Sequence, residues 1–359
     1  MVESFAGGVL TSVSQLCNVQ VFDQNDVFLA YSMRQETPSD FSAKLDPRIQ
    51  TIRINLVRQI APYRDLLGLF EMRKILKKVN PDILHLHSSK AGLIGRLANR
   101  MVLGKKIKVF YSPRGFGFLQ LNVRSLKQLM YFYIEKFGTN LGGITVACSA
   151  SEAKEASRLR KNNIIIIENA VDTDIIPKKD WSCEQTDVIK IGTVGRLCPQ
   201  KNPQMFEQLV MNYVHRDNVA FCWIGGGNEG FKFQTQKNIT LTGWLPREDA
   251  LTYLSTLDIY IQTSLWEGMP LSVIEAMVSG IPAVVTDVVG NRDVIEHGRT
   301  GFIARNLKEM VDYVDLLTND SKLRMEMGQW ARDSALERFG LHRLRQDITQ
   351  LYRGNYSIL

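Results

Sequence analysis

The sequence predicts an α/β protein built from two parallel-sheet domains of similar size. Three observations carry this. A chain of 359 residues exceeds what one hydrophobic core serves, since single cores rarely grow past roughly 250 to 300 residues. Short apolar runs alternate with helix-length amphipathic segments almost throughout, the pattern of βαβ units whose parallel strands are covered by helices. That alternation restarts after a polar stretch at 177–186.

In the first half, strands are predicted over 27–31, 51–55, 82–87, 107–111, 143–148 and 164–167, with helices over 66–79 and 125–137. The opening is unusual: Gly7-Gly8 follows Met1 so closely that a first strand has almost no residues, so it is very short or the chain begins upstream. Second-half strands are predicted over 188–194, 219–224, 238–242, 258–262 and 282–285. The expected division is a first domain of residues 1–172, a second of 173–338, and a charged helix, 339–359, crossing back to the first. No tandem repeat or low-complexity segment interrupts this plan.

With 45% hydrophobic and 23% charged residues and no stretch near the roughly 18 apolar residues of a membrane span, the composition is that of a soluble globular protein. The five cysteines, Cys17, Cys148, Cys183, Cys198 and Cys222, form no C-x-x-C pair, and the N-terminus lacks a secretory signal, so a cytoplasmic location is expected. Charge is unevenly divided. Residues 1–172 carry 24 Lys and Arg against 14 Asp and Glu, whereas 173–359 carry 20 against 23. A basic first half suits an anionic neighbour such as a membrane surface, a pyrophosphate or nucleic acid; a merely solvated basic surface is the alternative.

The sharpest motif is S-L-W-E-G-M-P-L-S-V-I-E-A-M, with Glu267 and Glu275 separated by seven residues. A strand should end at Gln262, a loop should run over 263–269, and Pro270 should stand in the first turn of a helix ending near Gly280, which brings Gly268, Met269 and Pro270 to a helix N-terminus. Backbone N–H groups and the positive end of the macrodipole there make a phosphate site, and a carboxylate on either side can accept hydrogen bonds from sugar hydroxyls. Two glutamates at this spacing are, taken alone, more often surface residues. In I-G-T-V-G-R-L-C-P-Q-K-N, residues 191–202, Arg196 and Lys201 lie just beyond a strand, placed to neutralise a diphosphate unless they are ordinary surface charges. Gly225 and Gly226, after the next strand, permit close backbone approach to a base or ribose, on weak evidence.

The first half adds Gly7-Gly8, then His85-Leu86-His87-Ser88-Ser89-Lys90 and Ser112-Pro113-Arg114-Gly115 at the carboxyl ends of two strands, where open α/β sheets bind ligands. His85 and His87 share one strand face, yet no third metal ligand is apparent and packing explains them more simply. Asp172-Thr173-Asp174 matches a metal-binding D-x-D pattern, but its place at the domain boundary reads as hinge structure.

Taken together these residues resemble glycosyltransferase family 4, retaining enzymes of the GT-B fold in which two Rossmann-like domains face each other across a cleft. Glu267 to Glu275 resembles that family's E-x7-E signature, G-R-L-x-x-x-K-N its donor-diphosphate motif, and Asn169-Ala170-Val171-Asp172 its interdomain element. V-E-S-F-A-G-G, H-L-H-S-S-K-A-G and Y-S-P-R-G-F are similar to bacterial polysaccharide transferases that build O-antigen or capsule units on undecaprenyl diphosphate at the cytoplasmic membrane face. Many members carry His where this chain has Arg114, so Arg114 either takes the place of that His beside the donor sugar or holds the acceptor diphosphate.

The resemblance implies a UDP-sugar as co-substrate, with no cofactor and no metal. It assigns Glu267, Arg196 and Lys201 to catalysis. Glu275, Gly268, Met269, Pro270, Leu271, Gly225, Gly226 and Gly8 fall to donor binding, and His87, Ser88, Lys90 and Arg114 to the acceptor side. Glu267 would orient the sugar and Glu275 the ribose, and the acceptor is a lipid-linked saccharide at the inner membrane, with no nucleic acid involved. A UDP-sugar epimerase or a transferase with a non-lipid acceptor are the neighbouring alternatives. A dinucleotide-dependent dehydrogenase is disfavoured, because Gly7-Gly8 lacks the third glycine of G-x-G-x-x-G. Between Lys105 and Phe137, cations (Lys105, Lys106, Lys108, Arg114, Arg124, Lys127, Lys136) are interleaved with Phe116, Phe118, Tyr131, Phe132, Tyr133 and Phe137, as in a peripheral membrane segment, although a helix there must also bury one face.

Overall fold

Met1–Leu119, Val123–Asn169 and Leu341–Leu359 form one unit, and Ala170–Gly340 with Gln120–Asn122 forms the other. The computed structural model describes residues 1–102, 106–182, 188–227, 231, 233 and 239–358; Lys105 and Cys183 lie outside them. The first break thus falls after Asn169, against residue 172 from sequence, and the return falls at Leu341, against residue 339.

In the first unit, α1 (Gly7–Phe22) precedes β1 (Phe28–Tyr31), β2 (Gln50–Arg53), α2 (Pro62–Val79), β3 (Ile83–His87), α3 (Ser89–Arg100), β4 (Lys108–Ser112), α4 (Ser125–Asn140), β5 (Ile144–Ala147), α5 (Ala150–Ser157) and β6 (Ile164–Ile166). Strands β3, β4, β5 and β6 form one parallel ladder and β1 and β2 another. Ahead of α1, Val2 makes parallel bridges to both Tyr31 and His87 and joins the two ladders. Gly7-Gly8 stands at the start of α1.

The second unit contains β7 (Ile189–Val194), α6 (Pro203–Met211), β8 (Val219–Ile224), β9 (Ile239–Leu241), α7 (Arg247–Ser255), β10 (Ile259–Gln262), α8 (Leu271–Val278), β11 (Ala283–Thr286), α9 (Asn291–Val294), β12 (Gly301–Ala304), α10 (Leu307–Asn319) and α11 (Ser321–Arg338). Its six described strands are all parallel, in the order β12-β11-β10-β7-β8-β9. Strand β8 reads V-A-F-C-W-I and β10 reads I-Y-I-Q, nearly continuous apolar runs, because strands covered on both faces have no solvent side to mark with polar residues. Chain order reverses at β7, which has β8 on one side and β10 on the other, and open sheets bind ligands beyond the carboxyl ends of the strands at such a point.

Helix α12 (Leu341–Arg353) closes the chain in the first unit. Arg345 and the Thr349 hydroxyl each donate to the Asp23 carboxylate at 2.6 Å, and Tyr352 meets His85.

Candidate functional site

In the second unit the two sharpest motifs leave adjacent strands at the switch point, where Ile259 and Tyr260 of β10 stand beside Ile191 and Gly192 of β7. Beyond β7, Cys198, Pro199, Gln200 and Lys201 turn tightly, and Asn202, at φ 50°, caps α6 by accepting from the Met205 N–H. The Thr263 hydroxyl donates to the Lys201 carbonyl at 2.7 Å, and the Leu265 N–H donates to the Gln200 carbonyl at 2.8 Å, lacing the two loops together.

Glu267 is buried at 7% exposure and is the focus of this arrangement. Its Oε1 accepts from the Lys201 ammonium at 2.8 Å, the Ser264 hydroxyl at 2.8 Å and Gln262 Nε2 at 3.2 Å, while Oε2 accepts from Gln200 Nε2 at 3.4 Å. The Tyr260 hydroxyl donates to Gln262 Oε1 at 3.0 Å, which turns the amide nitrogen toward Glu267. Burial works against the Lys201 charge, but Glu267 and then Tyr260 outweigh it and raise the amine above its ordinary value, so it remains an ammonium. Among the described residues its hydrogen-bond partner is Glu267, which takes one of its three protons. Arg196, half-buried, lies on the same loop two residues beyond β7.

Helix α8 is apolar nearly all round, and Glu275 is its only charged residue. Buried at 4% exposure, its carboxylate accepts from Arg247 Nη2 at 2.7 Å. Pro270 stands at the N-cap, so the helix begins at Leu271 rather than at the proline. Gly268, Met269 and Pro270 are buried before it. Behind them Gly290, at φ 86°, packs so closely that a Cβ there would lie 2.4 Å from the Gly268 carbonyl oxygen. Gly290→Ala therefore combines a left-handed backbone with an overlap onto main chain, and should cost about 2 to 5 kcal/mol of stability and displace the Gly268–Met269 turn. Thermal melts check the loss; an alanine variant with wild-type melting would show that the turn tolerates the shift.

Gly225 and Gly226 bring loops together. The Leu197 N–H donates to the Gly226 carbonyl at 3.1 Å, and a Cβ on Gly225 would lie 2.3 Å from the Gly195 carbonyl oxygen. Trp244, 59% exposed, lies beside Gly226.

Sequence reasoning missed Arg247, Gln262, Ser264 and Trp244. A trace of Gln262 and Ser264 was present, as polar Gln-Thr-Ser closing a wholly apolar strand. Nothing marks Arg247, which meets Glu275 across 28 positions through the packing of α7 against α8.

In the first unit, the His87 ring stacks on His85 at 4.3 Å. His85 Nδ1 meets the Tyr352 hydroxyl at 2.7 Å and Nε2 meets the Ser112 hydroxyl at 2.9 Å. Burial, then Arg114 for His85, and His85 and Arg114 for His87, hold both imidazoles well below their ordinary value, hence neutral at pH 7. Among the described residues no three His, Cys, Asp or Glu side chains are grouped to hold a metal.

Ser88, at φ 79°, precedes α3, and its hydroxyl lies 3.5 Å from Glu3 Oε2. Lys90 is bound to the start of α2, donating to the Gln59 carbonyl at 2.5 Å and to Asp65 Oδ1 at 2.6 Å. Arg114, at φ 59°, donates to Asn169 Oδ1, and Arg343 donates to the carbonyls of Glu168 and Asn169 at 2.9 and 2.8 Å. Gly8 is exposed in the first turn of α1. In the D-x-D stretch the Asp174 N–H donates to Asp172 Oδ1 at 3.3 Å, a local turn.

Residues 6–175 match the family model described as Glycosyltransferase Family 4, and residues 178–334 the one described as Glycosyl transferases group 1. The UDP-Gal:alpha-D-GlcNAc-diphosphoundecaprenol alpha-1,3-galactosyltransferase of Escherichia coli is 30% identical over 323 residues, 83% of this chain and 81% of that protein. The N,N'-diacetylbacillosaminyl-diphospho-undecaprenol alpha-1,3-N-acetylgalactosaminyltransferase of Campylobacter jejuni is 25% identical over 77% of this chain and 78% of that protein. Among solved structures, sucrose-phosphate synthase from Thermosynechococcus elongatus superposes with a TM-score of 0.82 over 98% of this chain and 94% of its own, at 16% identity, a likeness of fold. Matched in order along both halves, the chain belongs to glycosyltransferase family 4 and is a glycosyltransferase of the GT-B fold.

Proposed function

We propose that this enzyme transfers a hexose or N-acetylhexosamine from a UDP-sugar to an undecaprenyl-diphosphate-linked saccharide, with retention of anomeric configuration and without a metal ion, in O-antigen or capsule synthesis. The observation that carries the donor half is the buried Lys201–Glu267 pair at 2.8 Å, set on adjacent loops at the switch point beside the N-terminus of α8. The acceptor half is supported by the basic balance of residues 1–172 and by the names of the two relatives, both of which act on diphosphoundecaprenol-linked substrates.

In this reading Lys201, Arg196 and the first turn of α8 bind the UDP diphosphate and stabilise the negative charge that grows on it as the bond to the sugar breaks. Glu267 accepts hydrogen bonds from sugar hydroxyls and, through Lys201, fixes the sugar against the diphosphate. Glu275, itself held by Arg247, accepts from the ribose. The acceptor hydroxyl attacks the anomeric carbon on the face the diphosphate leaves, and a departing phosphate oxygen takes its proton. Two cations and a helix terminus supply the charge that a divalent ion would otherwise supply, and His87, Ser88, Lys90 and Arg114 serve the acceptor side. A lipid-held acceptor places the reaction at the cytoplasmic face of the inner membrane; no described helix is long and apolar enough to cross it.

Purified protein given UDP-sugars and a GlcNAc-diphosphate-lipid acceptor is expected to form an α-linked product from an α-linked donor, as read by NMR, at a rate little changed by chelator. An inverted product would overturn retention. Strict dependence on a divalent ion would return Asp172 and Asp174 to consideration as ligands.

A further inference from the structure

A helix covering a sheet normally buries one apolar stripe and turns a polar one to water. Helices α2 and α4 carry a second apolar stripe on the outside. In α2 the buried face is Gly68, Met72 and Leu76, whereas Tyr63, Leu66, Leu67 and Phe70 stand exposed at i, i+3, i+4 and i+7, with Tyr63 at 75%. Lys74, Lys77 and Lys78 continue the same face and are exposed. In α4, Tyr131 and Phe132 pack against the core, while Leu126, Leu129, Met130, Tyr133 and Phe137 form the outer stripe, with Leu126 at 79%.

The two stripes belong to one layer, since α3 packs against both α2 and α4. Each of these helices follows a strand of a parallel sheet, so their first turns gather at the sheet's carboxyl edge, where Ser88, Lys90 and Arg114 also lie. Lys90 ties the two features together, because its bonds to the Gln59 carbonyl and Asp65 lock the loop after β3 to the turn that carries Ile60 and Tyr63.

The surroundings are cationic. From Arg58 to Lys78 six Lys and Arg accompany two carboxylates, of which Asp65 is bound to Lys90. From Arg124 to Phe137 three cations accompany Glu135, which is buried and accepts from the Tyr111 hydroxyl at 2.9 Å. A second copy of this face would bring like charges together, whereas an anionic, apolar-backed surface satisfies both features.

We propose that the outer faces of α2 and α4 together form one docking surface for a bilayer leaflet with anionic headgroups, holding the loops after β3 and β4 at the headgroup layer. This rests on the reading that the acceptor is lipid-linked. It also corrects the membrane segment expected from sequence: Phe116 and Phe118 are core residues, at 0% and 7% exposure, and α2 takes their place.

Flotation of the full chain with phosphatidylglycerol-rich vesicles tests it, alongside three triple variants. These are Tyr63→Ser, Leu67→Ser, Phe70→Ser in α2; Leu126→Ser, Leu129→Ser, Tyr133→Ser in α4; and Arg124→Ser, Lys127→Ser, Lys136→Ser. Each triple should weaken binding by about a hundredfold or more, and the wild type should bind phosphatidylcholine vesicles poorly and lose binding at high salt. Wild-type flotation by the α2 variant, no flotation by the wild type, or a dimer that the substitutions dissociate would each overturn the shared surface. Turnover with a short-chain, detergent-soluble acceptor should be unchanged in all three variants. If the wild type floats as expected yet turns over no lipid-diphosphate acceptor, the acceptor reading fails while the surface stands.

Discussion

Replacing Arg196 and Lys201 together by alanine is expected to abolish sugar transfer, with kcat falling by at least about a thousandfold. Removing a single donor aimed at developing negative charge typically costs a hundredfold to a thousandfold, and here two cations are lost from the proposed diphosphate site. Lys201 has a second, separable effect. With side chains 17% and 9% exposed, the Lys201–Glu267 pair is largely withdrawn from water, so Lys201→Ala strands a buried carboxylate, an event worth about 3 to 5 kcal/mol in comparable pairs. Adding Glu267→Gln to Lys201→Ala removes the stranded charge and should recover most of the melting temperature while transfer stays lost. Thermal melts and initial rates on the same preparations separate these effects. A near-wild-type rate in the Arg196, Lys201 double variant would place the diphosphate elsewhere.

Glu275→Ala should weaken UDP binding along with turnover, whereas Glu267→Ala should chiefly slow transfer with UDP affinity largely kept. Two hydrogen bonds from ribose to a carboxylate are worth at most about 3 to 6 kcal/mol, so calorimetry should show a loss of UDP affinity of up to about two to four orders of magnitude. Because Arg247 donates to Glu275 at 2.7 Å, Arg247→Ala should reproduce part of this loss by releasing the carboxylate it holds. Arg247 is itself half-buried, so freeing it in Glu275→Ala adds little instability compared with stranding Glu267. Unchanged turnover in both glutamate variants would remove both from the site.

The strands and the order of the motifs were legible because their physics is local. A strand buried on both faces reads as a nearly continuous apolar run, so β8 and β10 are visible in V-A-F-C-W-I and I-Y-I-Q. The glycine and proline positions mark the loops that follow. Less was visible where an element is stabilised by its neighbours: β12 is four residues, Gly301–Ala304, paired on β11, and Val2 is joined to Tyr31 and His87 by isolated bridges. Helix α2 begins at Pro62 rather than at residue 66 because Pro62 suits the first helical position and the Asp65 carboxylate accepts from the Ala61 N–H, ahead of the apolar periodicity.

By itself the sequence determined the α/β class, the two halves, the paired glutamates and the two cations near them, all of which follow from residue type and spacing along the chain. Only the tertiary structure decided which groups meet. Strand order brings β7 beside β10 and so sets Lys201 on Glu267, 66 positions apart, and helix packing sets Arg247 on Glu275. It also decided which aromatics between Lys105 and Phe137 face water, since Phe116 and Phe118 sink into the core while Tyr133 and Phe137 stay outside. The physical reason is common to all three: a hydrogen bond or a buried face depends on distance in space, and folding over a parallel sheet sets that distance independently of separation in sequence.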